Sequence, residues 1–321
     1  MKFYFAPMEG VTGYIYRNIH HSYFPNVDKY FTPFIVANQS VSFKTRELQD
    51  IKPEHNQGMN VVPQILTNNA HDFIQTSKKI KEFGYDEINL NLGCPSGTVV
   101  AKGKGSGFLA RKEELNRFLE EVFNANVTKI SIKTRIGLDN PDEFQELMLI
   151  FNQYPLEELI IHPRIQKDFY KNTPNLTVFS EGLSTSKHEV CYNGDIFTVN
   201  DYKNFIVKYP QVNAIMLGRG IIANPALIQE ITSGVGLDKR VLKEFHERLV
   251  IEYKRILSGD RDVLFKMKEV WHYWAYMFTD DEKYRKKIRK AERFSDYERA
   301  VENLFFEQEI KKGAGYLSEG L

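Results

Sequence analysis

The sequence predicts an α/β protein: a (β/α)8 TIM barrel over residues 1–237, a helical bundle over 238–312 and a flexible tail over 313–321. Three observations lead there. Eight short runs rich in β-branched and aromatic residues recur up to Gly220. Stretches with helical spacing separate most of them, the alternation that builds a parallel barrel. After Gly236 the runs stop and only helical spacing remains. An open doubly wound sheet is the competing arrangement, but no G-x-G-x-x-G follows the first run.

In chain order the runs are "FYFA" (3–6), "KYFTPFIV" (29–36), "NVVPQIL" (60–66), "YDEINLNL" (85–92), "KISIKTRI" (129–136), "ELIIHPR" (158–164), "HEVCYNGDI" (188–196) and "NAIMLGRG" (213–220). Between the third and fourth, Phe73, Ile74, Ile80 and Phe83 fall at helical spacing, and Gly84 is a C-cap. Leu115, Phe118, Leu119 and Val122 form a second such stripe. Thr198 is an N-cap for a third helix that Pro210 ends, with Asp195 as a second capping candidate. Beyond Gly236, Leu242, Phe245, Leu249, Tyr253 and Ile256 share one amphipathic stripe. Trp271 and Trp274 mark a further helix with a core-facing side, and "SDYERAVENLFFEQEI" (295–310) marks the last.

Composition narrows the class. Hydrophobic residues make up 42% and charged residues 26%, ordinary for a soluble domain. No apolar run is long enough to span a bilayer, and "MKFYFAPMEG" is too short in its apolar part for a secretory leader. Two cysteines without a CxxC or a His/Cys cluster predict neither a disulfide framework nor a metal site, and fit the cytoplasm. Net charge is +1, but "KYRKKIRKAER" (283–293) holds seven basic residues against one acidic. Such a run is either a solvated face or a contact for a phosphate backbone.

Chemistry in a barrel belongs at the C-terminal ends of the strands. Here those ends carry "APMEG" (6–10), Gln64, Asn91 with Cys94 just beyond, Lys133 and Arg135, His162 and Arg164, "NGD" (193–195) and "GRG" (218–220). Polar groups in apolar strands are costly unless partnered, so the pattern predicts a polar ligand at the mouth. Glycines at the last two ends let backbone N–H groups approach a phosphate, and Arg219 adds a charge. Lys133 can stabilise negative charge on a reduced isoalloxazine. Gln64 can bond that ring's pyrimidine edge, and Asn91 can read a pyrimidine as well. His162 is either a donor to ring or substrate or a satisfied strand-end histidine. Cys191, inside a run, reads as core.

The motifs "APMEGVTGYIYR", "VVPQIL", "INLNLGCPSGTVVAKGKGSGFL", "IKTRIG", "IHPRIQKDFY", "NGDI" and "MLGRGIIANPALI" resemble, in order and approximate spacing, the tRNA-dihydrouridine synthases. "FKMKEVWHYW" extends the resemblance into the helical part. The resemblance implies an FMN enzyme that reduces the uracil C5–C6 bond in tRNA, with hydride from flavin N5 to C6, a proton from Cys94 to C5, and NADPH recharging the flavin. It implies that Pro7, Met8 and Glu9 line the flavin, that Gln64, Lys133 and His162 contact it, and that Asn193, Gly194, Asp195, Gly218 and Arg219 frame its ribityl phosphate. Asn91, Arg135 and Arg164 are then expected on the substrate side, and Lys102, Lys104, Lys286 and Lys287 on tRNA phosphates. Glycines 97, 103, 105 and 107 would let the Cys94 loop close over an inserted base. Gly13 and Pro163 stand where the family usually has Asp and Gly. A monomer with no metal and no membrane association is expected. The alternatives are an FMN barrel reductase or dehydrogenase for a free pyrimidine or small enone, and a non-catalytic RNA-binding protein on an old enzyme fold.

Overall fold

Ten parallel strands arise from the eight runs, in a computed structural model that describes residues 1–316. They are β1 (Lys2–Phe5), β2 (Lys29–Phe31), β3 (Ile35–Val36), β4 (Val61–Val62), β5 (Gln64–Leu66), β6 (Glu87–Leu92), β7 (Lys129–Arg135), β8 (Leu159–His162), β9 (Val190–Tyr192) and β10 (Ala214–Leu217). The extra two come from proline. Pro33 lies between β2 and β3 and Pro63 between β4 and β5, and a residue without an N–H interrupts a ladder. β2 pairs with β4 and β3 with β5, so the broken halves still run side by side. β5 pairs with β6, pairing continues strand by strand to β10, and β1 joins β10 to β2. The sheet closes on itself as the expected eight-stranded barrel.

Side chains alternate across each strand. Tyr4, Ala6, Phe31, Val62, Ile160, Cys191, Ala214 and Met216 fill the barrel interior, while Phe3 and Phe5 face the outer helices. Cys191 is fully buried there, as its place in a run suggested. Local signals set the helices. Thr198 Oγ1 accepts from Asp201 N, and Asp201 returns a carboxylate to Thr198 N, a reciprocal cap on Val199–Lys208. Asp195 takes no part in that cap. Helix Tyr14–Tyr23 starts at Gly13, which has no side chain to cap it. Asp50, from a neighbouring helix, supplies the missing carboxylate by accepting from Tyr14 N at 2.6 Å.

Four longer helices follow the barrel: Lys239–Ile256, Asp260–Trp274, Asp281–Lys290 and Phe294–Glu307. Leu242, Phe245, Leu249 and Tyr253 of the first are buried as the stripe requires, but Ile256 in its last turn is 53% exposed. Phe245 packs edge-on against Tyr16 and Tyr23 of the first barrel helix. Trp271 and Trp274 are buried, and Trp271 Nε1 donates to Tyr297 Oη at 2.8 Å. Lys266 reaches the carbonyl of Gly10 in the loop after β1, so the helical unit touches the loops of the barrel mouth. No helix among the described residues is long and apolar enough to cross a membrane. Of the expected tail, Gly313 is exposed, Gly315 is buried beside Phe197, Tyr316 packs between Phe197 and Tyr273, and 317–321 lie outside the described residues.

Candidate active site at the barrel mouth

The strand ends enclose a cavity of about 280 Å³. Pro7, Met8 and Glu9 line it after β1, Pro33 and Phe34 at the break between β2 and β3, and Gln64 at β5. Asn91 and Cys94 come from β6 and its loop, Lys133 and Arg135 from β7, and His162 from β8. The register explains the convergence. Gln64 sits beside Asn89, Asn89 beside Ser131, Asn91 beside Lys133 and Arg135 beside His162 on adjacent strands.

A continuous hydrogen-bonded chain runs beneath the cavity. Asn89 donates to Ser131 Oγ, Gln64 Nε2 donates to Asn89 Oδ1, and Asn91 Nδ2 donates to Gln64 Oε1, all between 2.7 and 3.0 Å. Asn91 Oδ1 then accepts from the backbone N–H groups of Gly93 and Cys94 at 3.0 and 2.9 Å. Asn91 was expected to read a substrate. Here its oxygen fixes the turn that carries Cys94. On the far side of that turn, the Cys94 carbonyl accepts from both Ser106 N and Ser106 Oγ. Gly105 has φ +57°, and a Cβ there would lie 2.8 Å from the Cys94 carbonyl oxygen. A Cβ on Gly107 would lie 2.7 Å from the Val100 oxygen. These two glycines are therefore close-approach residues in a packed turn.

Charge in the mouth is buried and uneven. Lys133 is half-buried, lines the cavity, and its ammonium has no hydrogen-bond or ion-pair partner among the described residues. Burial, then the nearby Arg135, pushes its pKa down to about 8, so it remains mostly cationic at neutral pH. Burial pushes the Cys94 thiol up, so it is held protonated. His162 lies well below the usual histidine range, from burial first and then from Arg135 and Lys133. Arg164 Nη1 donates to His162 Nε2 at 3.1 Å. A guanidinium cannot accept, so the neutral ring carries its proton on Nδ1.

The two arginines expected on the substrate side have other partners. Arg135 is 1% exposed and donates to the carbonyls of Gly93, Ile165 and Phe169, tying the Cys94 turn to the loop after β8. Arg164 is equally buried and does not line the cavity; it forms a bidentate pair with Asp195 at 2.8 and 2.6 Å. Asp195 also binds Arg219 at 2.7 Å. Asn193 donates to the Met216 carbonyl, and Gly194 and Gly218 end the neighbouring strands. Glu9 pairs with Arg46 at 2.5 Å on the open side of the mouth. Lys102 and Lys104 share the Cys94 loop but lie outside the cavity lining. Lys286 and Lys287 are exposed on helix Asp281–Lys290, where they line a separate groove of about 640 Å³ with Lys290 and Arg299.

Three aromatic residues of the cavity wall are not marked as such by the sequence pattern: Phe34, at the break between β2 and β3, and two tyrosines. Tyr170 lies on the loop after β8, near His162. Tyr273 comes from the helical unit, two residues after Trp271, and so off the buried stripe that marks that helix. A Tyr between two core tryptophans is the only signal that pointed to it.

Residues 4–312 match the family model described as dihydrouridine synthase (Dus). The chain is 29% identical over 237 residues to a probable tRNA-dihydrouridine synthase of Staphylococcus epidermidis, covering 70% of this chain and 69% of that protein. It is 26% identical over 246 residues to tRNA-dihydrouridine synthase B of Pasteurella multocida, covering 75% and 72%. In fold it is similar to morphinone reductase in complex with tetrahydroNAD, with a TM-score of 0.51 and 14% identity over 74% of this chain and 88% of that one. It is similar in the same sense to TcOYE with pHBA, with a TM-score of 0.54 and 10% identity over 80% and 96%.

Proposed function

The chain belongs to the dihydrouridine synthase family, and from that premise we propose that it reduces the C5–C6 double bond of specific uridines in tRNA to 5,6-dihydrouridine, with FMN bound at the mouth and NADPH as reductant. One observation carries the reading: a single cavity is lined both by an unpartnered lysine ammonium, Lys133, and by a thiol that burial keeps protonated, Cys94.

The donor set suits a flavin. Lys133 offers a cation to the electron-rich pyrimidine edge of the ring, Gln64 a carboxamide and His162 its Nδ1–H. Pro7, Met8, Phe34 and Glu9 bound the space for the ring. Asn193, Gly194, Asp195, Gly218 and Arg219 would frame the ribityl phosphate, at the place where barrels commonly hold one. When bound, FMN supplies the hydride that adds to C6 of the uracil.

The protein's own residues do the rest. Cys94 delivers a proton to C5 as charge develops there, which requires a thiol and not a thiolate. Asn91 and Arg135 hold the turn on which that thiol sits. Tyr170 and Tyr273 line the cavity on the side of the helical unit and the loop after β8. A uracil stacked within tRNA has to be turned outward to enter. The remaining tRNA is then held through its backbone, with Lys102 and Lys104 beside the mouth and Lys286 and Lys287 in the basic groove. The proposal includes a cytoplasmic location, where tRNA is available, and a monomer, since one chain carries every residue invoked. A reductase for a free pyrimidine or small enone would use the same mouth but leave the basic groove without a partner. Turnover on unmodified tRNA and on free uridine, each with NADPH, separates the two: the proposal requires product from tRNA and little from uridine, and the reverse would defeat it.

A further inference from the structure

At the corner of the mouth beyond β9 and β10, Arg219 is held by aromatic rings that have no part in the chemistry above. The Arg219 guanidinium is enclosed by three rings, Tyr170 at 4.8 Å, Phe197 at 5.1 Å and Tyr316 at 5.3 Å. Its Nη2 donates to Asp195, and its other nitrogens bond to no described residue. Tyr170 and Phe197 belong to barrel loops. Tyr316 does not: it arrives from the far side, after the last helix of the helical unit.

The path of that segment is specified residue by residue. Thr279 N donates to the Glu309 carbonyl and Lys311 N to the Met277 carbonyl, on either side of an antiparallel bridge between Phe278 and Ile310. The chain then turns to the barrel, where a Cβ on Gly315 would lie 2.2 Å from the Phe197 carbonyl oxygen. Only glycine fits that seat. Tyr316 follows, its ring 5.4 Å from Phe197 and 5.6 Å from Tyr273, the helical residue that also lines the cavity.

An arginine side chain has many rotamers, and fixing it costs conformational entropy. Aromatic faces on a guanidinium, with a carboxylate on one edge, hold its plane and leave the remaining N–H groups for an anion. Building on the FMN reading, we infer that Tyr316 is a positioning residue for the cofactor phosphate: it clamps Arg219 from the helical side and so links the seating of the helical unit to flavin binding.

The test compares FMN with riboflavin, which has the same ring and no phosphate, on the full-length apoprotein by equilibrium titration. Tyr316→Ala should weaken FMN about tenfold and leave riboflavin unchanged. Tyr316→Phe keeps the ring and should bind as wild type does. Gly315→Val, which blocks the seat without removing the tyrosine, should behave as Tyr316→Ala. Wild-type FMN affinity in Tyr316→Ala, or an equal loss of FMN and riboflavin, would overturn the inference while the flavin reading stands. A wild-type protein that takes up neither compound would overturn the flavin reading first and this inference with it.

Discussion

The barrel mouth and the groove on the helical unit both gather lysines and arginines, and they use them in opposite ways. In the mouth the cations are few, and buried or half-buried. Lys133 has no partner among the described residues, while Arg135 donates to three carbonyls of the turns around it. In the groove Lys286, Lys287, Lys290 and Arg299 are exposed, with acidic Glu292 and Asp296 among them, and Lys286 pairs with Glu282 one helical turn away. A buried charge acts on one atom of one ligand in a low dielectric, and its loss is felt in full. Exposed charges are screened, each contributes little, and they act as a field on a polyanion. The mouth should therefore respond to single substitutions and the groove only to several.

Removing the Cys94 thiol tests the first half of that comparison most severely. Cys94→Ala should retain FMN and lose roughly 10²- to 10⁴-fold in dihydrouridine formation, the usual range for a general acid. Unchanged turnover would remove the acid role. Lys133→Ala should weaken FMN by about 10- to 100-fold, as expected for one charged hydrogen bond in a buried site. Flavin fluorescence on titration measures this, and wild-type affinity would contradict the assignment.

The protonation state supplies a third test. Burial raises the Cys94 pKa, so the competent thiol form persists at low and neutral pH and is lost as pH rises through that raised value. Single-turnover rates should therefore hold through neutral pH and fall only above about 8, first as Lys133 gives up its charge and then, by up to about tenfold per pH unit, as the Cys94 thiol ionises. A fall beginning below neutrality would mean a thiolate. The smallest effect belongs to the groove. Lys286→Glu with Lys287→Glu should raise KM for tRNA a few-fold at moderate salt, leave kcat alone and reduce the salt dependence of binding. A large effect from either substitution alone would break the comparison.

The same contrast explains what could be read from the sequence. The eight runs and their order were legible because strand periodicity and turn residues are local signals. So was the mouth, since polar residues at strand ends stand out in apolar runs. Partners were not legible. Arg135 and Arg164 looked like substrate contacts because nothing local indicates that Arg135 finds carbonyls 30 to 42 residues away, or that Arg164 finds Asp195 31 residues on. The close approach that requires glycine at 105 and 107 was not legible either, because a glycine needed for close approach and one needed for motion are spelled alike. Tyr273 was hidden because helical spacing identifies the buried stripe, and a residue that meets another domain's cavity need not lie on it.

The account rests on one spectrum. Purified protein should carry flavin absorption bands, NADPH should bleach them under anaerobic conditions, and unmodified tRNA, not free uridine, should restore them. A colourless protein that takes up no FMN, or a bleached flavin that tRNA leaves untouched, would contradict it.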